Sequence, residues 1–338
     1  MSGRFPGANA NKNQPTVWGL TDGRAGNTSQ VRGVVERLGY PHEFKQIHYT
    51  PAVHLPNIVR GKTLRGIGIE KSAPLCPPWP DVVVSAGRRL APAALYIKRH
   101  HPQTLVVHMM SPGMAPREFD LLALPSHDRV INRPNVIRTI GAPHHVTPEK
   151  LASATSAHES MFAPYPGFRI GMLVGGHTSR GRMREEDMRR LLEHLQRIAG
   201  LASLLVTTSR RTPEFAVSMI ESALQNRPHY LYRYGKTPGE NPYLGILGSA
   251  DLLVVTGESI SMCSEACSTG KPVYVFTPAR TLSEKHRRFL AMLFEQGFAR
   301  PLEEYDPSWH PTNRLDEAGR LAGIIENALQ DRQGLSIK

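Results

Sequence analysis

Cysteine is scarce in this chain. Cys76, Cys263 and Cys267 are the only three in 338 residues, too few for a disulfide framework, which fits a reducing compartment. Cys263 and Cys267 lie four apart on an expected helix with no further Cys or His at a ligand spacing, so they read as small buried hydrophobes. The pairs His100-His101 and His144-His145 sit beside prolines without carboxylate clusters, and no metal site is expected at either. Aromatic residues make up only 7%. No apolar run approaches the roughly 18–20 residues that a membrane-spanning helix needs. Residues 1–14 lack an apolar core, so they are expected to be a disordered tail and not a secretory signal. The dinucleotide fingerprint, the Walker loop and an Asp-x-Asp motif are all missing, which argues against NAD chemistry and P-loop ATP hydrolysis. A cytoplasmic protein is expected.

What is present is length, apolar residues and arginine. A chain of 338 residues with 40% hydrophobic content suits two domains of about 150 residues, each with its own core. Apolar runs bounded by turn signals alternate with helical segments. Strands are expected at 16–20, 43–48, 81–85, 104–108, 121–124 and 136–140, with helices at 27–38 and 90–100, and residues 50–80, with six prolines, as an irregular excursion. The pattern then restarts, with strands at 168–174, 203–207, 229–233, 251–255 and 272–276. Helices are expected at 184–198, 213–224, 259–269, 283–296 and 312–330. The fold class is therefore α/β: two Rossmann-like domains with parallel sheets, facing across a cleft. The expected division is a first domain at 15–150, a linker at 151–167, a second domain at 168–305 and a terminal helical segment at 306–338.

The formal net charge is +12, and 31 of the 41 basic residues are arginine. Arginine offers a permanently charged planar fork suited to phosphate and carboxylate. Ligands of open parallel sheets bind outside the carboxyl ends of strands, and that is where Arg24, Arg88, Arg89, Arg180, Arg182, Arg210 and Arg211 fall. Gly23, Gly26, Gly87, Gly175 and Gly176 lie between strand and helix, where a missing side chain admits a phosphate to backbone N–H groups. Arg24, Gly26, Asn27, Gly87 and Arg88 are the candidate acceptor or phosphate residues of the first half. In the second half, Thr256-Gly257-Glu258-Ser259 turns from a strand into a helix whose first N–H groups suit a phosphate, with Glu265 two turns inside and able to reach a sugar hydroxyl. An ordinary Ser-capped helix with a surface glutamate is the competing reading.

That segment, with Ser264-Glu265 followed by Gly270-Lys271-Pro272, resembles the donor site of GT-B glycosyltransferases, among them the peptidoglycan N-acetylglucosaminyltransferase and the lipid A and Kdo transferases. The resemblance implies that Glu265 binds a nucleotide ribose and that the turn before its helix contacts the diphosphate. Gly175-Gly176-His177-Thr178-Ser179 is similar to the glycine loop that opens the donor domain of that superfamily. The donor-binding set implied is Gly175, Gly176, Thr178, Ser179, Arg180, Arg210, Gly257, Glu258, Ser259, Ser261, Met262 and Glu265. Asp22-Gly23-Arg24-Ala25-Gly26, Ser85-Ala86-Gly87-Arg88 and Thr256–Met262 with Ser264-Glu265-Ala266 resemble, over both halves, a narrower family: the bacterial relatives of the plant mitochondrial-fission ("elongated mitochondria") protein. A nucleoside-diphosphate-sugar epimerase label fits these residues poorly. The resemblance implies a last helix that crosses back to the first domain, and sugar transfer without metal or cofactor.

Transfer needs a base for the acceptor hydroxyl. Asp22 is the candidate, with His177 second, although Asp22 would equally serve to cap the following helix. The substrate expected is a nucleotide-diphosphate sugar, and the acceptor a cell-envelope glycan or lipid. The +12 charge would help the protein sit peripherally on the anionic inner face of a membrane. The alternative is a non-catalytic protein that keeps the GT-B scaffold for interactions at a membrane surface. No nucleic-acid partner is expected, because the basic residues are dispersed over strand ends without an aromatic platform.

Overall fold

The computed structural model describes residues 14–128, 132–178, 181–278 and 282–332. Of the expected N-terminal tail, residues 1–13 lie outside that set. The chain forms two compact units: residues up to 124, 132–137 and 318 onward make the first, and 125–131 with 138–317 the second.

In the first half the order is β1 (Val17–Thr21), α1 (Ala25–Leu38), β2 (His42–Gln46), α2 (Asn57–Arg60), β3 (Val82–Ala86), α3 (Ala91–His100), β4 (Leu105–Met109), β5 (Leu121–Pro125) and β6 (Val136–Thr139). These strands form one sheet in the order β2-β1-β3-β4-β5-β6. The pairs β1–β2, β1–β3, β3–β4 and β4–β5 are parallel. Every residue of β1, β3 and β4 is buried, as a sheet covered on both faces requires, which is why these strands read as unbroken apolar runs.

The second unit adds α4 (Pro148–Ala157), α5 (Glu159–Phe162), β7 (Arg169–Val174), α6 (Glu185–Ala199), β8 (Ser203–Thr208), α7 (Glu214–Leu224), β9 (His229–Tyr232), α8 (Tyr243–Ser249), β10 (Leu252–Thr256), α9 (Ile260–Cys267), β11 (Val273–Phe276), α10 (Glu284–Glu295) and β12 (Arg300–Pro301). Its sheet runs β12-β11-β10-β7-β8-β9, all neighbours parallel. Taking β7 as the first strand, this is the 3-2-1-4-5-6 winding of a dinucleotide-type Rossmann domain. Cys263 and Cys267 are buried in its core.

The last helix, α11 (Glu317–Arg332), belongs to the first unit from Ala318 onward. Leu321, Ala322, Ile325 and Leu329 pack with Val31, Val34, Val82 and Val107, and Arg332 pairs with Asp120.

Three features differ from the sequence expectation. Residues 138–150, expected in the first domain, and 306–317, expected in the terminal segment, both belong to the second unit. Residues 151–167 are not a linker: most of them lie in α4 and α5, and Leu151 and Phe162 enter the second unit's core. Alanine, serine and threonine dominate α4, so its buried side is narrow and its apolar pattern weak. The partner of α4 is α8, which the sequence reading passed over because its seven residues, Tyr-Leu-Gly-Ile-Leu-Gly-Ser, carry two glycines. Those glycines make the contact. A Cβ on Gly245 would lie 2.7 Å from the His158 ring, and one on Gly248 would lie 2.8 Å from the Leu151 carbonyl oxygen and overlap Thr155 Oγ1. Gly248→Ala should therefore destabilise the protein by about 1–3 kcal/mol in denaturant titration. Adding Thr155→Ala should recover part of that loss, since only the Leu151 carbonyl overlap would be left. An unchanged midpoint for the single variant would refute the close packing.

Candidate functional site

In the second unit β7 and β10 lie side by side while the chain winds outward to β8–β9 on one flank and β11–β12 on the other. The loops after β7 and β10 therefore diverge, and a crevice outside the carboxyl ends of these strands is where such sheets bind ligands. Gly175, Gly176 and His177 follow β7, and Gly257, Glu258 and Ser259 follow β10.

Glu258 joins the two loops. Its Oε1 accepts the Gly176 N–H at 2.7 Å and the Thr256 hydroxyl at 2.8 Å, and Thr256 Oγ1 in turn accepts the Gly175 N–H at 2.8 Å. The carboxyl is 1% exposed and its Oε2 has no hydrogen-bond partner among the described residues. Burial pushes its pKa up, and the donated hydrogen bonds oppose that rise. The loop after β8 closes the other side. The His177 N–H donates to the Arg211 carbonyl at 2.9 Å, and the hydroxyls of Ser209 and Thr212 both donate to the Gly175 carbonyl.

This geometry changes the meaning of the glycine pair. A Cβ on Gly175 would overlap Glu258 Oε1, and one on Gly176 would overlap the Arg211 carbonyl. The glycines make room for the protein's own polar groups, and the N–H groups of residues 175–177 are engaged internally. Thr178 folds back on Gly181 through its N–H and its hydroxyl. Ser179 and Arg180 lie outside the described residues. Gly257 likewise packs inward, its N–H on the Phe276 carbonyl at 2.9 Å.

The N-terminus of α9 is different. Ser259 is its N-cap but makes no side-chain capping bond, so the first-turn N–H groups of Ile260, Ser261 and Met262 have no intrahelical acceptor. These three residues are half-buried. On the same helix, Glu265 Oε2 accepts the Tyr243 hydroxyl at 2.6 Å, and its other oxygen makes no hydrogen bond among the described residues. Burial raises the Glu265 carboxyl to about 7, with the Tyr243 hydrogen bond pulling the other way. Arg210 and Arg211 are exposed at the end of β8 without an ion pair among the described residues. Sequence reasoning missed Tyr243 and gave Lys271 only as part of the Gly270–Pro272 turn. Lys271 is half-buried, and its amine caps α8 by donating to the carbonyls of Leu247, Gly248 and Ala250.

His177 does not fit the role of base. Its Nδ1 accepts the Met183 N–H at 3.1 Å, so the neutral ring carries its proton on Nε2 and offers a donor there. Asp22 does not fit either. Its side chain is wholly inaccessible, with Oδ1 accepting the Arg24 N–H at 3.3 Å and Oδ2 the Tyr49 hydroxyl at 3.2 Å. It also leaves α1 uncapped, since the N-cap is Arg24 with no side-chain bond.

The first unit has its own switch point, between β1 and β3. Asn27 from α1 meets Gly87 there, where φ is +80° and a Cβ would lie 2.9 Å from Asn27 Nδ2. Gly26 and Arg24 are exposed. Arg88 is not an open anion ligand: its guanidinium donates to the carbonyls of Leu55 and Val53 at 3.2 and 3.3 Å and anchors the 50–80 excursion. Arg60, which carried no sequence signal, is 1% exposed and donates to the carbonyls of Arg65 and Arg89 and to Asn57 Oδ1. Burial lowers its pKa, and Arg88 and Arg89 add to that.

Comparison with known proteins gives the relatives of the chain and of its fold. The model of the mitochondrial fission ELM1 family matches residues 25–329. An uncharacterized protein of Rickettsia prowazekii (strain Madrid E) is 29% identical over 93% of this chain and 98% of its own length. The mitochondrial fission protein ELM1 of Arabidopsis thaliana is 30% identical over 74% of this chain, which spans 63% of that protein. Among solved structures, a proposed UDP-N-acetylglucosamine 2-epimerase from Listeria monocytogenes superposes with a TM-score of 0.56 at 12% identity, covering 96% of this chain and 98% of that one. The UDP-GlcNAc 2-epimerase of Methanocaldococcus jannaschii gives 0.51 at 13%, covering 92% and 99%. At such identities the likeness is one of fold: two Rossmann-like domains of GT-B type.

The Glu265–Tyr243 pair yields a pH signature. A carboxyl raised from 4.5 to about 7 on folding favours the folded state fully below pH 4.5, and that contribution is lost as the pH rises through about 7. Glu265→Gln should therefore gain stability relative to the native chain between pH 5 and 8 and stay level above that, read as the difference in Tm. Tyr243→Phe should move the midpoint of that difference upward. A pH-independent difference would remove the case for a perturbed Glu265.

Proposed function

The chain belongs to the mitochondrial fission ELM1 family, and from that premise we propose that its second unit binds a nucleotide-diphosphate sugar and transfers the sugar, without metal, to a cell-envelope glycan or lipid acceptor. The observation that carries this reading is the pairing of an uncapped α9 N-terminus with the Tyr243-held Glu265 carboxyl two turns inside the same helix. The free N–H groups and the partial positive charge of the helix end suit a diphosphate. The unused Glu265 oxygen suits a ribose hydroxyl. His177 Nε2–H, Arg210 and Arg211 supply further donors to the phosphates. In the reaction, the acceptor oxygen bonds to the anomeric carbon as its bond to the diphosphate breaks, and the diphosphate leaves with the electron pair. The helix N-terminus and the arginines stabilise that developing charge. The acceptor's proton passes to the departing diphosphate or to water, since Asp22 and His177 are both engaged elsewhere.

A second reading is favoured by that same engagement. A glycine loop whose N–H groups are internally bonded, and two candidate bases already occupied, suit a GT-B scaffold kept for interaction at a membrane surface. The name of the Arabidopsis relative points the same way.

A thermal-shift screen of the full chain against UDP, GDP, CMP, ADP and dTDP and their common sugars separates the two. Ligand at about 100 times its Kd should stabilise by about 2.7 kcal/mol, a shift of a few degrees. A shift selective for one base, absent in Glu265→Ala, is the expected result. No shift with any nucleotide would leave the scaffold reading standing.

A further inference from the structure

The short helix α2 is built inside out. Asn57 and Arg60, its polar ends, are buried at 1% exposure each, while Ile58 and Val59 between them are 86% and 51% exposed. The inversion is enforced from within. Asn57 Nδ2 donates to the carbonyls of Arg88 and Pro112, both at 2.6 Å, and Arg60 is fixed by the three acceptors described above. The helix cannot roll to hide its apolar side without breaking that set. Ile69, in the same excursion, is 69% exposed.

Next to this apolar knob lies a basic cavity. α2 packs on α3, and Lys62, just past α2, lines a surface cavity of about 520 Å³ together with Lys98 and Arg99 of α3, Arg117 and Glu118. Glu118 pairs with Lys62, and Asp120 pairs with Lys98. Arg99 and Arg117 are exposed and have no carboxylate partner among the described residues. Two guanidinium groups without a carboxylate partner thus line a cavity that begins two residues past the helix holding Ile58 and Val59 in solvent.

We propose that this face docks on an anionic phospholipid bilayer, with Ile58 and Val59 entering the boundary between headgroups and acyl chains and Arg99 and Arg117 taking lipid phosphates. Interfacial apolar insertion combined with basic residues at the headgroup level is the chemistry that holds a protein on a charged leaflet. Two apolar side chains are few for a stable protein interface, and the charge complementarity favours the lipid surface. The proposal rests on the membrane-surface part of the functional reading and is independent of the sugar donor.

The test is co-sedimentation of the full chain with vesicles of phosphatidylcholine alone or with about 30% phosphatidylglycerol, at low and moderate salt. Binding to the mixed vesicles should be at least about tenfold tighter than to the neutral ones and weaken with salt. Ile58→Ser with Val59→Ser, and separately Arg99→Glu with Arg117→Glu, should each lower it by about tenfold or more while leaving the Tm unchanged. Equal binding by native chain and variants, or no preference for the anionic vesicles, would overturn the proposal. So would loss of vesicle binding in millimolar glycerol phosphate, which would make the cavity a site for small anions. The nucleotide thermal shift, measured on the same preparations, tells failure of this surface apart from failure of the donor site.

Discussion

A carboxylate buried without a cation is expensive unless hydrogen bonds replace its water, and the second unit's switch point depends on one such group. Glu258 ties the loop after β10 to the loop after β7 through Gly176, and through Thr256 to Gly175. Because Gly176 also lies against the Arg211 carbonyl, the loop after β8 is set by the same contact. Three strand ends are thus fixed around one side chain whose second oxygen is unpartnered. Removing Glu258 would leave the N–H of Gly176 and the hydroxyl of Thr256 without that acceptor in a buried setting, so this residue positions the loops around it.

The first unit solves the same problem with the opposite charge. Arg60 is buried among carbonyls and the Asn57 side chain, and Arg88 is bonded to two more carbonyls. In both units a charged side chain organises the loops beyond the parallel strands by bonding to neutral backbone groups. The groups left for chemistry in the second unit are those that this framework does not use: the α9 N–H groups, the outer oxygen of Glu265 and the Nε2–H of His177. Their chemistry, donors beside a single carboxyl oxygen, suits phosphate and hydroxyl groups.

The sheets were legible in the sequence because buried parallel strands are apolar throughout, as in Asp81-Val-Val-Val-Ser85 and Asp251-Leu-Leu-Val-Val255, and the two-domain α/β fold followed. The α4–α8 contact was not, because glycine and small residues weaken an apolar pattern while allowing the closest packing. The site was half legible. Gly175, Gly176 and Glu258 stood out as residues with a special role, but the role differed: a gap left by a missing Cβ reads alike in sequence whether a ligand or the protein's own carbonyl fills it. Asp22 and His177 failed as bases for the same reason, since residue type gives the chemistry a group can do and not the partners it already has. Arg60 and Tyr243 carried no signal at all, one lying in an irregular excursion and the other on the unread helix α8.

The choice of neutral partners has an electrostatic consequence. A guanidinium bonded to carbonyls keeps its charge uncancelled, whereas Lys98 against Asp120 contributes little field beyond a few ångströms. Arg60 and Arg88 therefore act twice: they anchor the 50–80 excursion and leave positive charge beneath it. That excursion carries Ile58, Val59 and Ile69 into solvent. A net charge of +12 spread evenly would say little about partners, but the share of it at Arg60 and Arg88 lies under an apolar projection and so has a direction. The bonds that fix the loop also charge it, so the first unit can present this face without ordering any segment on binding.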